Sequence, residues 1–394
     1  MPTLRATLSH LPNPAARPDD AYPQALHDIA SLDKAARAFA DISQWPGYQP
    51  SPLQRLDRLA KQIGVAAIYY KDESQRFGLK SFKALGGAYA VARQLQEKIR
   101  QDNGVEASID DLLTGRYRST VQDIVISCAT DGNHGRSVAW GCQMFGCACI
   151  IYIHRDVSEG REQAMQALGA EVIRVDANYD ASVRQADDDA ATHGRIIVSD
   201  TSYPGYVDIP RDVALGYTVM LAEAVEQMGD NIPTHVFIQA GVGGLAAAVC
   251  AYFWELWGEQ RPRFIVVEPE QANCLQQSAA QGELVAVEGD LETLMAGLSC
   301  GEVSLLAWDI LKPGVNDFLT LSEDAVAPCM QLLAQGEPPV EAGESAVAGL
   351  GAAIVAREDA DMSAKLGLDQ SSRIFVIGTE GATDHEIYQQ LLSQ

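Results

Sequence analysis

The chain has 394 residues, 47% of them hydrophobic and 21% charged, a balance that fills a core and excludes a disordered chain. Its 29 Lys and Arg against 53 Asp and Glu leave a formal charge of −24, which repels a phosphate polymer and an anionic bilayer and argues against nucleic-acid and membrane-surface roles. Eight cysteines without a CxxC pair, and seven scattered histidines without HExxH, exclude a disulfide scaffold and make a built-in metal site a poor expectation.

Taken in chain order, the N-terminal stretch has no apolar run of signal-peptide length, so a soluble, cytoplasmic chain is expected. Lys71-Asp72-Glu73-Ser74 leads into the run Arg76–Ala88. Ser81 is placed there as a helix N-cap, with Phe82, Leu85 and Tyr89 recurring at helical spacing. Lys83 sits beside that apolar face in the first turn. A cation near a helix N-terminus is disfavoured unless an anion is close, so Lys83 is either a solvated lysine or an amine of lowered pKa suited to covalent chemistry.

Ile124–Ser127 opens a βαβ rhythm. The turn that follows holds Thr130, Asp131, Gly132, Asn133 and His134, small or hydrogen-bonding residues that either cap a helix or receive a substrate carboxylate on backbone N–H groups. Asp131 is the unusual member, because a carboxylate there repels another. A helix through Met144, a break at Gly146 and the strand Ala148–Ile153 come next. The apolar stretch Val138–Ile153 contains Gly141, Gln143 and Gly146, and falls short of the ~20 residues a membrane span needs. A helix near Gly160–Leu168, the strand Glu171–Val175, a helix near Tyr179–Thr192 and the run Ile196–Val198 continue the alternation. Asp200 then ends a strand, as a cap or as a second working carboxylate.

After the punctuation at Pro204–Pro210, the rhythm resumes with His235–Gln239 and a helix near Leu245–Leu256. The glycine turn between them, Gly241-Val242-Gly243-Gly244-Leu245, suits a phosphate or is a plain tight βα turn. Gly241, Gly243 and Ala246 also satisfy G-x-G-x-x-A, with Glu268 beyond Phe264–Val267 where a ribose acceptor would sit, so a dinucleotide remains an alternative. Gly336–Gly343 punctuates the last third, and a final strand Arg373–Ile377 leads to Thr379. Alternation of this kind predicts an α/β chain with parallel sheets and helices on both faces, one domain interrupting the other.

Five segments in order, RFGLKSFKALGGAYA, ATDGNHGR, DTSYPGY, GVGGLA and IGTEGATD, resemble the diaminopropionate ammonia-lyases, enzymes of the tryptophan-synthase-β architecture (fold type II) that use pyridoxal 5'-phosphate. The resemblance implies two doubly wound parallel-sheet domains. Residues 1–119 and 204–394 form a large cofactor-binding domain and 120–203 a small substrate-loop domain. It implies that Lys83 holds the cofactor covalently, Phe82 packs on its ring and Asn133 bonds its ring hydroxyl. Gly241, Val242, Gly243, Gly244 and Leu245 cradle the phosphate, and Thr379 faces the pyridine nitrogen. One departure is Ala382, where the family usually has Asp.

Asp131 gains a purpose in this light, since hydroxy-amino-acid dehydratases usually carry Ser there and a β-ammonium group calls for a carboxylate. Asp200 offers a second one. The implied reaction is α,β-elimination of D- and L-2,3-diaminopropionate to pyruvate and two ammonia. Lys83 serves the L isomer and Asp131 the D isomer, with Asp200 supporting. Thr130, Asp131, Gly132, Asn133, His134 and Asp200 are the substrate contacts, and the resemblance implies a homodimer. Cys274 and Cys300 are expected as free thiols in a reducing cytosol, although related lyases can pair cysteines in this region. A serine or threonine dehydratase on the same scaffold, and a non-catalytic small-ligand-binding protein, remain alternatives.

Overall fold

A computed structural model describes residues 4–130, 132–289 and 291–394. The chain forms two compact units. The first takes the N-terminal stretch through Leu32, Pro50–Arg76 and Met220–Gln394, and the second takes Asp33–Gln49 and Phe77–Val219. The strands in chain order begin with β1 (Leu8–Pro12), β2 (Leu53–Arg55), β3 (Ala67–Asp72), β4 (Val125–Ala129), β5 (Ala148–His154) and β6 (Glu171–Val175). They continue with β7 (Ile196–Ile197), β8 (His235–Gln239), β9 (Arg263–Pro269), β10 (Asp317–Leu321) and β11 (Arg373–Gly378).

In the first unit seven strands form one sheet in the order β1-β10-β9-β8-β11-β3-β2. The five inner strands run parallel, and short β1 and β2 pair antiparallel at the edges. The inner strands are apolar along nearly their whole length, as HVFIQ and RIFVIG are, because helices cover both faces of a parallel sheet. From β8 the chain moves outward through β9 and β10, then returns to place β11 on the other side of β8. That reversal of strand order puts a crevice at the C-terminal ends of β8 and β11, the usual place for a ligand in an open α/β sheet.

In the second unit four parallel strands are ordered β6-β5-β4-β7. The helix Lys83–Asn103 packs against the helix Asn133–Phe145 there. Contact is close because Gly141 lacks a side chain, and a Cβ at that position would lie 2.8 Å from the Ala88 backbone. Ser137 Oγ accepts from Ala88 N–H at 3.0 Å at the same junction. Leu85, Val91 and Leu95 are fully buried on the first of these helices, each worth about 1.5–3 kcal/mol. This packing joins residues 77–119 to the second unit, whereas the expected division put them with residues 204–394; the boundary after residue 203 also moves, to a point inside the helix Asp208–Met228. No described helix is long and apolar enough to cross a membrane.

Candidate active site

On the second unit, β4 delivers the chain to a turn capped by Thr130, whose Oγ1 accepts from the N–H groups of Gly132 at 3.1 Å and Gly135 at 3.2 Å. The Thr130 hydroxyl is thereby occupied as the cap, and Asn133 becomes the first residue of its helix. Asp131 lies outside the described residues. His134 Nε2 lies 2.8 Å from Val198 O, and because a carbonyl only accepts, the ring proton is on Nε2. Its Nδ1 is buried without a hydrogen-bond partner among the described residues, 3.9 Å from Asp200 Oδ2. Burial lowers the His134 pKa below its ordinary value, with Asp200 opposing.

Lys83 Nζ pairs directly with Asp200 Oδ2, and both side chains keep about a fifth of their surface open, 23% and 21%. Burial alone would push the Asp200 carboxyl up. The Lys83 ammonium, and then His134, outweigh burial and hold it well below the usual carboxylate range. Asp200 lies in a bend beyond β7 rather than at the expected strand end, and that segment is pinned by Tyr206, whose hydroxyl accepts from Ser199 N–H and donates to Ile197 O, both at 2.9 Å. Phe82 packs its ring at a tilt against Tyr217, 4.7 Å between centroids and 57° between planes, with Lys83 Nζ 5.8 Å from the Phe82 centroid. The Tyr217 hydroxyl is buried without a hydrogen-bond partner among the described residues, and burial raises its pKa. Sequence reasoning assigned no role to Tyr206 or Tyr217. The glycine pair Gly86 and Gly216 was a usable signal for the second, because a Cβ on Gly86 would collide with the Tyr217 ring.

On the first unit, the glycine turn joins β8 to the helix Gly244–Trp257. Gly243 has φ +96°, a conformation that a side chain would strain. Val242 O accepts from Ser304 N–H at 2.9 Å, which fixes the turn from outside. Among the described residues none accepts from the N–H groups of Val242, Gly243, Gly244 or Leu245. Those donors and the positive end of the helix dipole form an anion cradle of phosphate type.

Thr379 follows β11 and is buried, its Oγ1 accepting from Gln239 Nε2 at 3.0 Å. Glu268 is engaged elsewhere than at a ribose. Its carboxylate caps the helix Cys274–Gln281 by accepting from Leu275 and Gln276 N–H, each at 2.8 Å, which removes the acidic residue on which the dinucleotide alternative rested. Cys274 and Cys300 are reduced. Both flank the glycine turn: Cys274 Sγ lies 3.8 Å from Gly241 O, and a Cβ on Gly241 would lie 2.8 Å from Cys300 Sγ.

The second unit carries a part-open primary amine held by a carboxylate, and the first a phosphate-type cradle and a buried neutral hydroxyl, each a kind of group that suits pyridoxal 5'-phosphate. Comparison with known proteins agrees. Residues 44–379 match the family described as pyridoxal-phosphate dependent enzymes. The chain is 39% identical over 371 residues to the diaminopropionate ammonia-lyase of Escherichia coli strain K12, covering 92% of this chain and 91% of the relative. The crystal structure of the Escherichia coli diaminopropionate ammonia-lyase in complex with D-serine superposes with a TM-score of 0.89 at 35% identity, over 98% of this chain and 97% of that one. The same enzyme in complex with an aminoacrylate-PLP azomethine reaction intermediate gives 0.87, again at 35% identity and with the same coverage of both chains. Similarity to a threonine dehydratase of Solanum lycopersicum is weaker, 26% over 60% of this chain and 34% of the relative.

Proposed function

The chain belongs to the pyridoxal-phosphate-dependent enzyme family, and from that premise we propose that it is a diaminopropionate ammonia-lyase, converting D- and L-2,3-diaminopropionate to pyruvate and two ammonia. The observation that carries this reading is Asp200, a carboxylate set against the Lys83 amine in a turn where a second cation, the substrate's β-ammonium group, finds an electrostatic partner.

Pyridoxal 5'-phosphate, when bound, supplies an electron sink for the carbanion left at Cα. Lys83, Phe82, Asn133, Thr379 and the turn Gly241–Leu245 would hold it. Lys83 then serves as the base that takes the Cα proton of the L isomer. Asp131 would take the proton of the D isomer, with Asp200 in support. The β-nitrogen leaves only as ammonia, because amide ion is too basic to depart, so it must stay protonated until the bond breaks.

Asp200 suits that task by its dependence on Lys83. While the ammonium is present, the carboxylate stays ionised and anchors cations. Held ionised in this way, it keeps the β-nitrogen in its ammonium form until ammonia departs. The second unit would supply the substrate-facing turn, and the protein would work in the cytoplasm as a homodimer; equilibrium sedimentation tests the dimer.

The deciding assay is incubation of the holoprotein with D- and L-diaminopropionate, serine and threonine, with pyruvate and 2-oxobutyrate measured. Preference for diaminopropionate supports the proposal. Preference for serine or threonine makes the chain a dehydratase, and binding without turnover makes it a ligand-binding protein.

A further inference from the structure

Gln239 closes β8 at the reversal of strand order, with its side chain buried beside the residue that follows β11. Its amide nitrogen lies 2.8 Å from Ile377 O, 3.0 Å from Thr379 Oγ1 and 3.4 Å from Ala346 O. Two of these partners are backbone carbonyls, which only accept, so the atom facing them is the amide nitrogen and the flip of the side chain is settled by its neighbours. An amide nitrogen has no lone pair to offer. At Thr379, therefore, the hydroxyl oxygen accepts and its one hydrogen is left for another acceptor, which no described residue provides. The arrangement has a cost elsewhere: Gln239 Oε1 is buried without a hydrogen-bond partner among the described residues. A methionine of similar shape would fill the space without that unpaired oxygen, so packing alone does not account for a glutamine here.

We propose that Gln239 is a positioning residue that fixes Thr379 as a hydrogen-bond donor toward the cofactor's ring nitrogen. This deepens the function proposed above and rests on its placement of Thr379 at the ring. A donor locked in one direction repels a protonated ring nitrogen, which has no lone pair left to accept with. An unprotonated ring withdraws electrons less strongly, which favours loss of a β-substituent over transfer of the amino group.

The test reconstitutes the full-length chain with pyridoxal 5'-phosphate or with its deaza analogue, in which C–H replaces the ring nitrogen, and compares dissociation constants. Wild type is expected to prefer the natural cofactor by on the order of tenfold, the worth of one buried hydrogen bond. In Gln239→Met nothing holds the hydroxyl in one direction, and the preference falls to about threefold or less. Thr379→Val abolishes it. A Gln239→Met protein that keeps the whole preference while Thr379→Val loses it overturns the role of Gln239. If Thr379→Val also keeps the preference, Thr379 does not face the ring nitrogen, and both the proposal and that placement fail, whatever the elimination assay reports. A second measurement needs no variant. With ¹⁵N in the cofactor ring, the wild-type holoprotein should show the resonance of an unprotonated pyridine, and a protonated resonance overturns the proposal.

Discussion

Two lysines on neighbouring stretches of the chain meet opposite surroundings. Lys71, on β3 of the first unit, is fully buried, and its ammonium donates to Ser51 O at 2.7 Å, Glu223 Oε2 at 2.7 Å and Gln227 Oε1 at 3.1 Å. Those three bonds use all its hydrogens. Arg76 completes the cluster, bonding both Glu73 and Glu223 at 2.7–2.8 Å. Burial lowers the Lys71 pKa against the pull of Glu73 and Glu223, while Arg76 and Lys71 hold Glu223 low against burial. Ser51, Arg76 and Glu223 all sit within a few residues of points where the chain passes from one unit to the other.

Lys83, on the second unit, keeps 23% of its side chain open and faces a carboxylate whose ionisation depends on it. An amine saturated on every side is architecture. One that is held but left accessible is available for chemistry.

Removing each amine in turn breaks the comparison most directly. Lys83→Ala should lower diaminopropionate elimination by roughly 10³-fold or more and abolish the visible absorbance of the bound cofactor, with the thermal midpoint little changed. Lys71→Met should do the reverse. It leaves Glu223 with one buried cation fewer and destabilises the fold by about 3–5 kcal/mol, read from denaturant unfolding. Equal unfolding midpoints for Lys71→Met and wild type would show that the cluster does not hold the fold. Asp131→Asn sharpens the catalytic side: turnover of the D isomer should fall by about 10²-fold while the L isomer retains most of its rate. Equal losses for the two isomers would refute the division of labour.

The same contrast explains what could be read before the structure. Glu171–Val175 and His235–Gln239 are observed with the bounds expected of them, because each is an apolar run closed by a turn. Lys83, Asp200 and the glycine turn were legible as segments, since their chemistry needs particular residue types at strand ends. β3 and β10 were not. AIYYKD ends in Lys71-Asp72 and DFLTL begins with Asp317, and a reading by period takes such charges as exposed.

Their partners lie far away in sequence. Glu223 neutralises Lys71, while Arg263 at 2.6 Å and His10 at 2.8 Å hold Asp317. The helix begins at Lys83 with Phe82, not the expected Ser81, in the N-cap position, and Ser81 Oγ accepts from Lys83 N–H at 3.3 Å. Gln239 reads only as the end of a strand, because its partner Thr379 is brought beside it only by the insertion of β11 next to β8.

A third buried charge extends the comparison, with the smallest expected effect. Glu268 is as buried as Glu223, but its partners are the N–H groups of Leu275 and Gln276 and not a cation. Burial outweighs those hydrogen bonds and raises its pKa from 4.5 to about 8. The folded chain therefore holds this proton more tightly than the unfolded chain does. Below pH 4.5 both states keep it and the contribution to stability is complete; as pH rises from 4.5 to about 8 the unfolded state releases it and stability falls; above about 8 nothing further is lost. Glu223, lowered by its cations, contributes in the opposite sense, losing stability as pH falls. Glu268→Gln keeps an acceptor for the helix N-terminus and cannot ionise, so the decline in thermal midpoint between pH 5 and 8 should be shallower than in wild type by roughly 2 °C. Parallel curves would mean that Glu268 ionises normally inside the fold, and that lacking a cation does not set it apart from Glu223.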